Sequence, residues 1–169
     1  MPNTASSTFS DITNLKQKNP ALIVGISLGG WTFNDNGTNT QDVYWKMVST
    51  KSNRATFISN LLSFMNHYGF DAVDLDWEYP GATDRQPNQP GNTTVDGDNY
   101  VLLLKEIQSA FKGDASPKYL SFTAPTSYWY LRWFPIGEMV AAADYVNFMT
   151  YDLHGVWDRN DPIGNQVLV

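Results

Sequence analysis

Asp71-Ala72-Val73-Asp74-Leu75-Asp76-Trp77-Glu78, followed by Tyr79 and Pro80, sets four carboxylates three, two and two residues apart with apolar residues between them. Side chains alternate between faces in an extended strand, so Asp74, Asp76 and Glu78 share one face while Val73, Leu75, Trp77 and Tyr79 share the other. Neighbouring acids on that face stand about 6.7 Å apart, where Coulomb's law at an effective dielectric of about 20 gives roughly 2.5 kcal/mol of repulsion. Repulsion of this size raises at least one pKa by about two units, which keeps a carboxylic acid protonated near neutral pH for general-acid work. A divalent-cation loop of the helix-loop-helix type would need a glycine at its sixth place and a glutamate at its twelfth. Leu75 and Trp77 fit a buried strand better than such a polar loop, and the same alternation argues against a solvated edge. Catalytic carboxylates are the reading that fits best.

The flanking sequence supplies a frame for this strand. Leu22 to Leu28 is an apolar run ending in Gly29-Gly30, which predicts a buried parallel strand and a turn. Residues 34 to 40 read as loop. From about Arg54 to His67, the residues Phe57, Ile58, Leu61, Leu62 and Met65 recur at helical spacing, and Gly69 supplies a stop. The long stretch from Pro80 to Gly97 is rich in Pro, Gly, Asn and Thr, and loops of that length tend to serve function. Asp98 is expected to cap a helix with the stripe Tyr100, Leu103, Leu104, Ile107 and Phe111, closed by Gly113. Tyr119 to Ala124 predicts a strand, Ile136 to Ala142 a short helix, and Tyr145 to Tyr151 a further strand. Alternating strands and helices imply right-handed crossovers and a parallel sheet with helices outside, an α/β fold in one domain spanning 1–169.

Composition narrows the partners. With 169 residues and 42% hydrophobic content, the chain is long enough for one sizeable core. Its net charge of -6, without a Lys/Arg cluster, speaks against nucleic acid and anionic membranes and suits a neutral polymer. Aromatic residues make up 14%, including six Trp and nine Tyr, and sugar rings present apolar faces that stack on such side chains. No run reaches the length of a membrane span, and the first 20 residues lack a signal peptide's apolar stretch. There is no cysteine, hence no disulfide. Asn36-Gly37-Thr38 and Asn92-Thr93-Thr94 are glycan-acceptor sequons that matter if the chain is exported.

The octad with Tyr79-Pro80 resembles the signature of the family 18 glycoside hydrolases, the chitinases and endo-N-acetylglucosaminidases. Ser27-Leu28-Gly29-Gly30-Trp31 is similar to that family's third-strand motif, Ala124-Pro125-Thr126 closes a fifth strand, and Met149-Thr150-Tyr151-Asp152 resembles the sixth-strand motif. The resemblance runs from about residue 10 to the last residue, and it departs from the family at Ala72, where glycine is usual. Its style is closest to the fungal chitinases that carry chitin-binding modules. The resemblance implies a partial (β/α)8 TIM barrel covering strands three to six, a fragment that starts after the second strand and stops before the seventh. Open sheet edges would favour self-association.

The implied activity is hydrolysis of chitin, the β-1,4-linked N-acetylglucosamine polymer, with retention, by a secreted enzyme that uses neither metal nor organic cofactor. The isolated fragment is expected to be inactive. Glu78, nearest the strand's C-terminal end, reads as the general acid. Asp76 shares its strand, so it is poorly placed as a nucleophile across the scissile bond. The resemblance assigns the attack to the substrate's 2-acetamido oxygen, with Asp76 orienting the acetamido N–H and Asp74 holding Asp76. Tyr151 would donate to the acetamido oxygen, and Asp152 would tune Glu78 or contact the sugar. Ser27 is expected to support Asp74, Met149 shares a face with Asn147 and Tyr151, and Asp71 lies off the acidic face in a supporting hydrogen-bonding role. Trp31, Tyr128, Trp129 and Trp157 follow strand ends and would form sugar-stacking walls, although packing serves each equally well. Two alternatives stand beside this reading: an endo-β-N-acetylglucosaminidase acting on N-glycans, and a non-hydrolytic chitin-binding lectin, whose usual mark is loss of the acid that Glu78 retains.

Overall fold

The computed structural model of the protein describes residues 4–83 and 92–155. Four parallel strands, β1 (Gly25–Gly29), β2 (Ala72–Asp76), β3 (Tyr119–Pro125) and β4 (Tyr145–Met149), lie side by side in chain order. The helices α3 (Lys51–Tyr68), α4 (Asp96–Lys112) and α6 (Ile136–Ala141) fall in the successive crossovers. Val73 and Leu75 of β2 and Leu120 and Phe122 of β3 are fully buried, in one core with Ile58, Leu61 and Met65 of α3, Leu103, Leu104 and Ile107 of α4, and Met139 of α6. On the other face, at alternate positions, Ser27, Ser121 and Asn147 each donate to Asp74. The result is the layered arrangement of a barrel segment, with helices outside and a polar inner face.

Among the α-helices that periodicity did not announce, two precede α3. α1 (Thr4–Thr13) is polar apart from a few residues, and its Phe9 meets Phe64, Tyr68 and Phe70 edge-on at 5.5, 5.3 and 5.8 Å. Tertiary packing, rather than a local stripe, places it. α2 (Val43–Ser49) is only seven residues long yet buries Tyr44, Trp45, Met47 and Val48. Boundaries also shift: β1 begins at Gly25 rather than Leu22, and β4 ends at Met149 rather than Tyr151. α3 is capped by Thr50, whose side chain accepts from the Asn53 N–H, and ends on Gly69 at φ 79°, a left-handed cap.

α4 starts two residues before the expected Asp98 cap, and the reason lies in Asp96. This carboxylate is buried, and its Oδ2 accepts from the backbone N–H of Gly81 (3.0 Å), the backbone N–H of Asn92 (2.8 Å) and the indole Nε1 of Trp45 (3.0 Å). One side chain thereby joins the segment just past the acidic strand to the entry of α4 and to α2. Burial pushes the Asp96 pKa up, and the three N–H groups pull it back. Gly97 is required next to it, because a Cβ there would stand 2.4 Å from the Trp133 carbonyl oxygen.

Asp96→Ala strips three donors of their acceptor, and at about 1–3 kcal/mol per buried unsatisfied group it should cost at least about 3 kcal/mol. Asp98→Ala, at an exposed neighbour, should stay within about 0.5 kcal/mol. Urea unfolding of the two variants measures both, and similar midpoints would show that Asp96 does not anchor this junction.

Candidate active site

The strand register builds the site. Ser27 of β1 and Ser121 of β3 stand directly beside Asp74 of β2, and side chains in register on parallel strands project to the same face. The Ser27 hydroxyl donates to Asp74 Oδ2 at 2.9 Å, and the Ser121 hydroxyl donates to Oδ1 at 2.7 Å. β4 is set one step along, so Asn147 pairs with Thr123 and reaches diagonally to give Asp74 Oδ1 a third bond at 2.9 Å. Asp76 receives the Thr123 hydroxyl at 2.5 Å. Each acid is thus bonded to donors from neighbouring strands, and Asp74 acts on Asp76 through its charge. Charge-assisted bonds to those donors are stronger than a contact between two carboxylates of like charge.

Asp76 is the more strained of the two. Burial raises its pKa, the Thr123 hydroxyl opposes that rise, and the Asp74 charge adds to it. Gly29 and Gly30 press against it at φ 118° and 96°. A Cβ on Gly29 would lie 2.1 Å from the Asp76 carbonyl oxygen, which also accepts the Gly30 N–H at 2.8 Å. These two positions require glycine.

The strand proper ends at Asp76, and the chain then turns rather than continuing extended. Trp77 is fully buried, stacked on Tyr44 at 5.4 Å and edge-on to Trp45 and Tyr100. The hydroxyls of Tyr44 and Tyr100 donate to the carbonyls of Leu28 and Leu75, stitching strand ends to helices. Glu78 is 7% exposed, and its N–H donates to Oδ1 of the buried Asn34 at 3.4 Å. The Glu78–Tyr79 peptide bond is cis, and the Tyr79 ring stacks on Tyr130 at 4.2 Å.

Tyr151 follows β4 and is half exposed. Burial raises its pKa first, and the negative charges of Asp76, Glu78, Asp152 and Asp74 add to the rise, which keeps the phenol protonated. Asp152 sits at φ 51°, a left-handed conformation that short polar side chains tolerate. The Met149 carbonyl accepts the Thr126 hydroxyl at 3.0 Å.

Asp71 is not part of this cluster. It lies just before β2, at the end of the strand away from Glu78, where Lys16 Nζ bonds both its oxygens (2.8 and 3.0 Å) and the Val24 N–H donates at 2.9 Å. Its supporting role is to clamp the N-terminal segment to the sheet. Trp31 follows β1 in a 3-10 turn (Trp31–Asn34), while Tyr128 and Trp129 lie on α5 (Tyr128–Leu131) after β3. All three are exposed, and the Arg132 guanidinium lies 3.9 Å from the Trp129 ring centre. Trp157 lies outside the described residues. Ser121, Thr123 and Asn34 join the site without having been singled out in sequence, and Asn147, placed there only by its face, joins as a donor to Asp74. Ser121 and Thr123 alternate with apolar residues in their strand, a signal that gains meaning only once the register is known. Among the described residues, no group of three or more His, Cys, Asp or Glu is arranged to hold a metal ion.

The family model for glycosyl hydrolases family 18 matches residues 2–166. The chain is 44% identical over 132 residues to the killer toxin subunits alpha/beta of Kluyveromyces lactis, covering 78% of this chain and 11% of that protein. It is 39% identical over 137 residues to the secreted chitinase LysM12 of Penicillium expansum, covering 81% and 9%. Among solved structures, it is similar to catalytic domain 2 of the Group II chitinase of Ostrinia furnacalis, a mutant in complex with penta-N-acetylchitooctaose. That likeness has a TM-score of 0.75 at 29% identity, covering 89% of this chain and 37% of that one. The chain thus spans about a tenth of the two curated relatives and just over a third of the solved domain.

Because the folded chain binds the Asp76 proton more tightly than the unfolded chain does, the ionised carboxylate costs stability. That cost is absent below the unfolded value of 3.8, grows as pH rises above it, and is complete above the raised folded value. Asp76→Asn should therefore gain stability relative to the parent at about pH 7 compared with about pH 3. Urea midpoints of both proteins at both pH values test the sign; a difference that does not change with pH would mean that folding leaves Asp76 unperturbed.

Proposed function

The chain belongs to glycosyl hydrolase family 18, and on that footing we propose that its acidic row serves an exported enzyme that hydrolyses β-1,4-linked N-acetylglucosamine polymers with retention. The observation that carries this reading is the acidic group at the end of the sheet where β2 and β4 stop: Asp74 and Asp76 held by donors from the neighbouring strands, and the buried Glu78 two residues past β2 with its N–H on Asn34. Barrel enzymes place their chemistry at that end. Likeness to a secreted chitinase and to a chitinase domain bound to N-acetylglucosamine oligomers supports the substrate class and the route of export.

Glu78 protonates the glycosidic oxygen. A protein nucleophile would have to face it across the scissile bond at about 5–5.5 Å, and Asp76, only two residues before it in the chain, is not assigned that part. The substrate's own 2-acetamido oxygen attacks the anomeric carbon and forms an oxazolinium ion as the leaving group departs with the Glu78 proton. Asp76 orients the acetamido N–H and offsets the developing positive charge, while Asp74, saturated by three donors, anchors the row. Tyr151 donates its O–H to the acetamido oxygen. Glu78, now ionised, takes a proton from the water that opens the ring, which restores both the acid and the anomeric configuration. Trp31, Tyr128 and Trp129, exposed beyond the strand ends, supply stacking faces. The inner face is wet at Ser27 and Asn147, so these 169 residues alone turn over slowly, because charge stabilisation needs a site from which water is excluded.

The test places residues 20–155 in the corresponding segment of a complete, active chitinase domain. Glu78→Gln in that chimera should lower hydrolysis of N-acetylglucosamine oligomers by about three orders of magnitude while leaving oligomer binding nearly intact, since a general acid acts in the transition state. Turnover close to the parent's would move the acid elsewhere. The same chimera should cleave acetylated oligomers but not chitosan or cellulose oligomers of equal length, because only the former carry the nucleophile. Comparable rates on either of the latter would end the substrate-assisted reading.

A further inference from the structure

Asn92-Thr93-Thr94 sits at the entry to α4, and all three side chains are exposed. We propose that Asn92 is an N-glycan acceptor. Its Oδ1 accepts the Thr94 N–H at 3.0 Å and the Thr94 hydroxyl at 2.7 Å, so the side-chain amide and the hydroxyl two residues on already face each other. A glycosyltransferase must hold that pair together in one site. The turn is closed by bonds spanning two residues, so it forms without the sheet. The backbone of Asn92 is fixed separately, its N–H donating to the buried Asp96, which leaves the side chain outside the packed junction. Beside it lies a groove of about 200 Å³ lined by Thr93, Thr94, Gly97, Arg132 and Trp133, room for a first sugar without displacing the core.

The other sequon is arranged differently. At Asn36-Gly37-Thr38 the threonine hydroxyl donates to the Asp35 carbonyl at 2.8 Å and the Phe33 carbonyl at 3.4 Å, turned away from the amide. Gln41 folds over the asparagine, donating to Asn36 Oδ1 at 3.2 Å and accepting the Gly37 N–H at 2.9 Å. Asn92 is therefore the preferred acceptor. In the transfer, Asn92 Nδ2 bonds to the anomeric carbon of the N-acetylglucosamine of a lipid-pyrophosphate-linked oligosaccharide. The bond from that carbon to the phosphate oxygen breaks, the lipid pyrophosphate leaves with the electron pair, and one amide proton passes to the transferase.

The inference rests on the export proposed above, so the test supplies export independently. The full chain is expressed in yeast behind a cleavable secretion signal, and medium and lysed cells are pooled so that retained molecules count equally. Peptides spanning Asn92 and Asn36 are read by mass spectrometry before and after peptide-N-glycosidase, which leaves aspartate at any glycosylated position. The expected result is a glycan on Asn92 in most molecules, retained in Thr94→Ser and lost in both Thr94→Ala and Asn92→Gln. Recovery of the Asn92 peptide unmodified in most molecules overturns the proposal, whether or not Asn36 carries sugar.

Discussion

Carboxylates in a row on one strand persist only where neighbouring strands bring donors to them. Adjacent acids repel by roughly 2.5 kcal/mol at their strand spacing, while each charge-assisted hydrogen bond contributes about 1.5–3 kcal/mol. Asp74 has three such bonds, from three different strands, and Asp76 has one. Burial, with the Asp74 charge added to it, raises the Asp76 pKa against the pull of that one bond. Everything on the inner face follows from the parallel register that sets Ser27, Asp74 and Ser121 side by side.

The opposite face holds that register. Trp77, fully buried beneath Tyr44, Trp45 and Tyr100, fixes the exit of β2 in the apolar layer, and the two tyrosine hydroxyls tie the strand carbonyls to α2 and α4. Asp96 then gathers the backbone beyond Glu78 onto α4 and α2. Glu78 thus lies between two anchored points, Trp77 before it and Gly81 after it. A proton donor must be held within a fraction of an ångström to work, and rigid neighbours on both sides give that precision.

The wet and dry sides of the sheet also divide the labour of the loops. The junction between the end of β2 and α4 is packed, with Gly81 and Gly97 both against Trp133. Beyond it, Asn92 to Thr94 stand in solvent at the rim. Aromatic side chains follow the same division: Trp77 and Trp45 are core, whereas Trp31, Tyr128 and Trp129 lie exposed past the strand ends, where a sugar chain can reach them.

Local periodicity was enough to show alternating strands and helices, to put Asp74 and Asp76 on one face of β2, and to place Trp77 with the apolar residues. Each of these follows from the period of a strand or a helix, which residues a few positions apart determine. α1 and α2 escaped that reading because few apolar residues or few turns mark them, and packing onto α3 and α4 makes them helical. Asp71 falls off the acidic face by the same alternation, but its partner Lys16 lies 55 residues away, so the clamp it forms was not legible locally. Ser121 and Thr123 stood unremarked, and Asn147 was placed on a face but not with Asp74, for the same reason, since their acids are 47 to 73 residues distant. Which acid is matched by which donor is set by the register between strands, and register depends on how whole crossovers pack. The sequence alone therefore determined the chemistry carried by one strand, and only the tertiary structure decided which neighbours hold it in place.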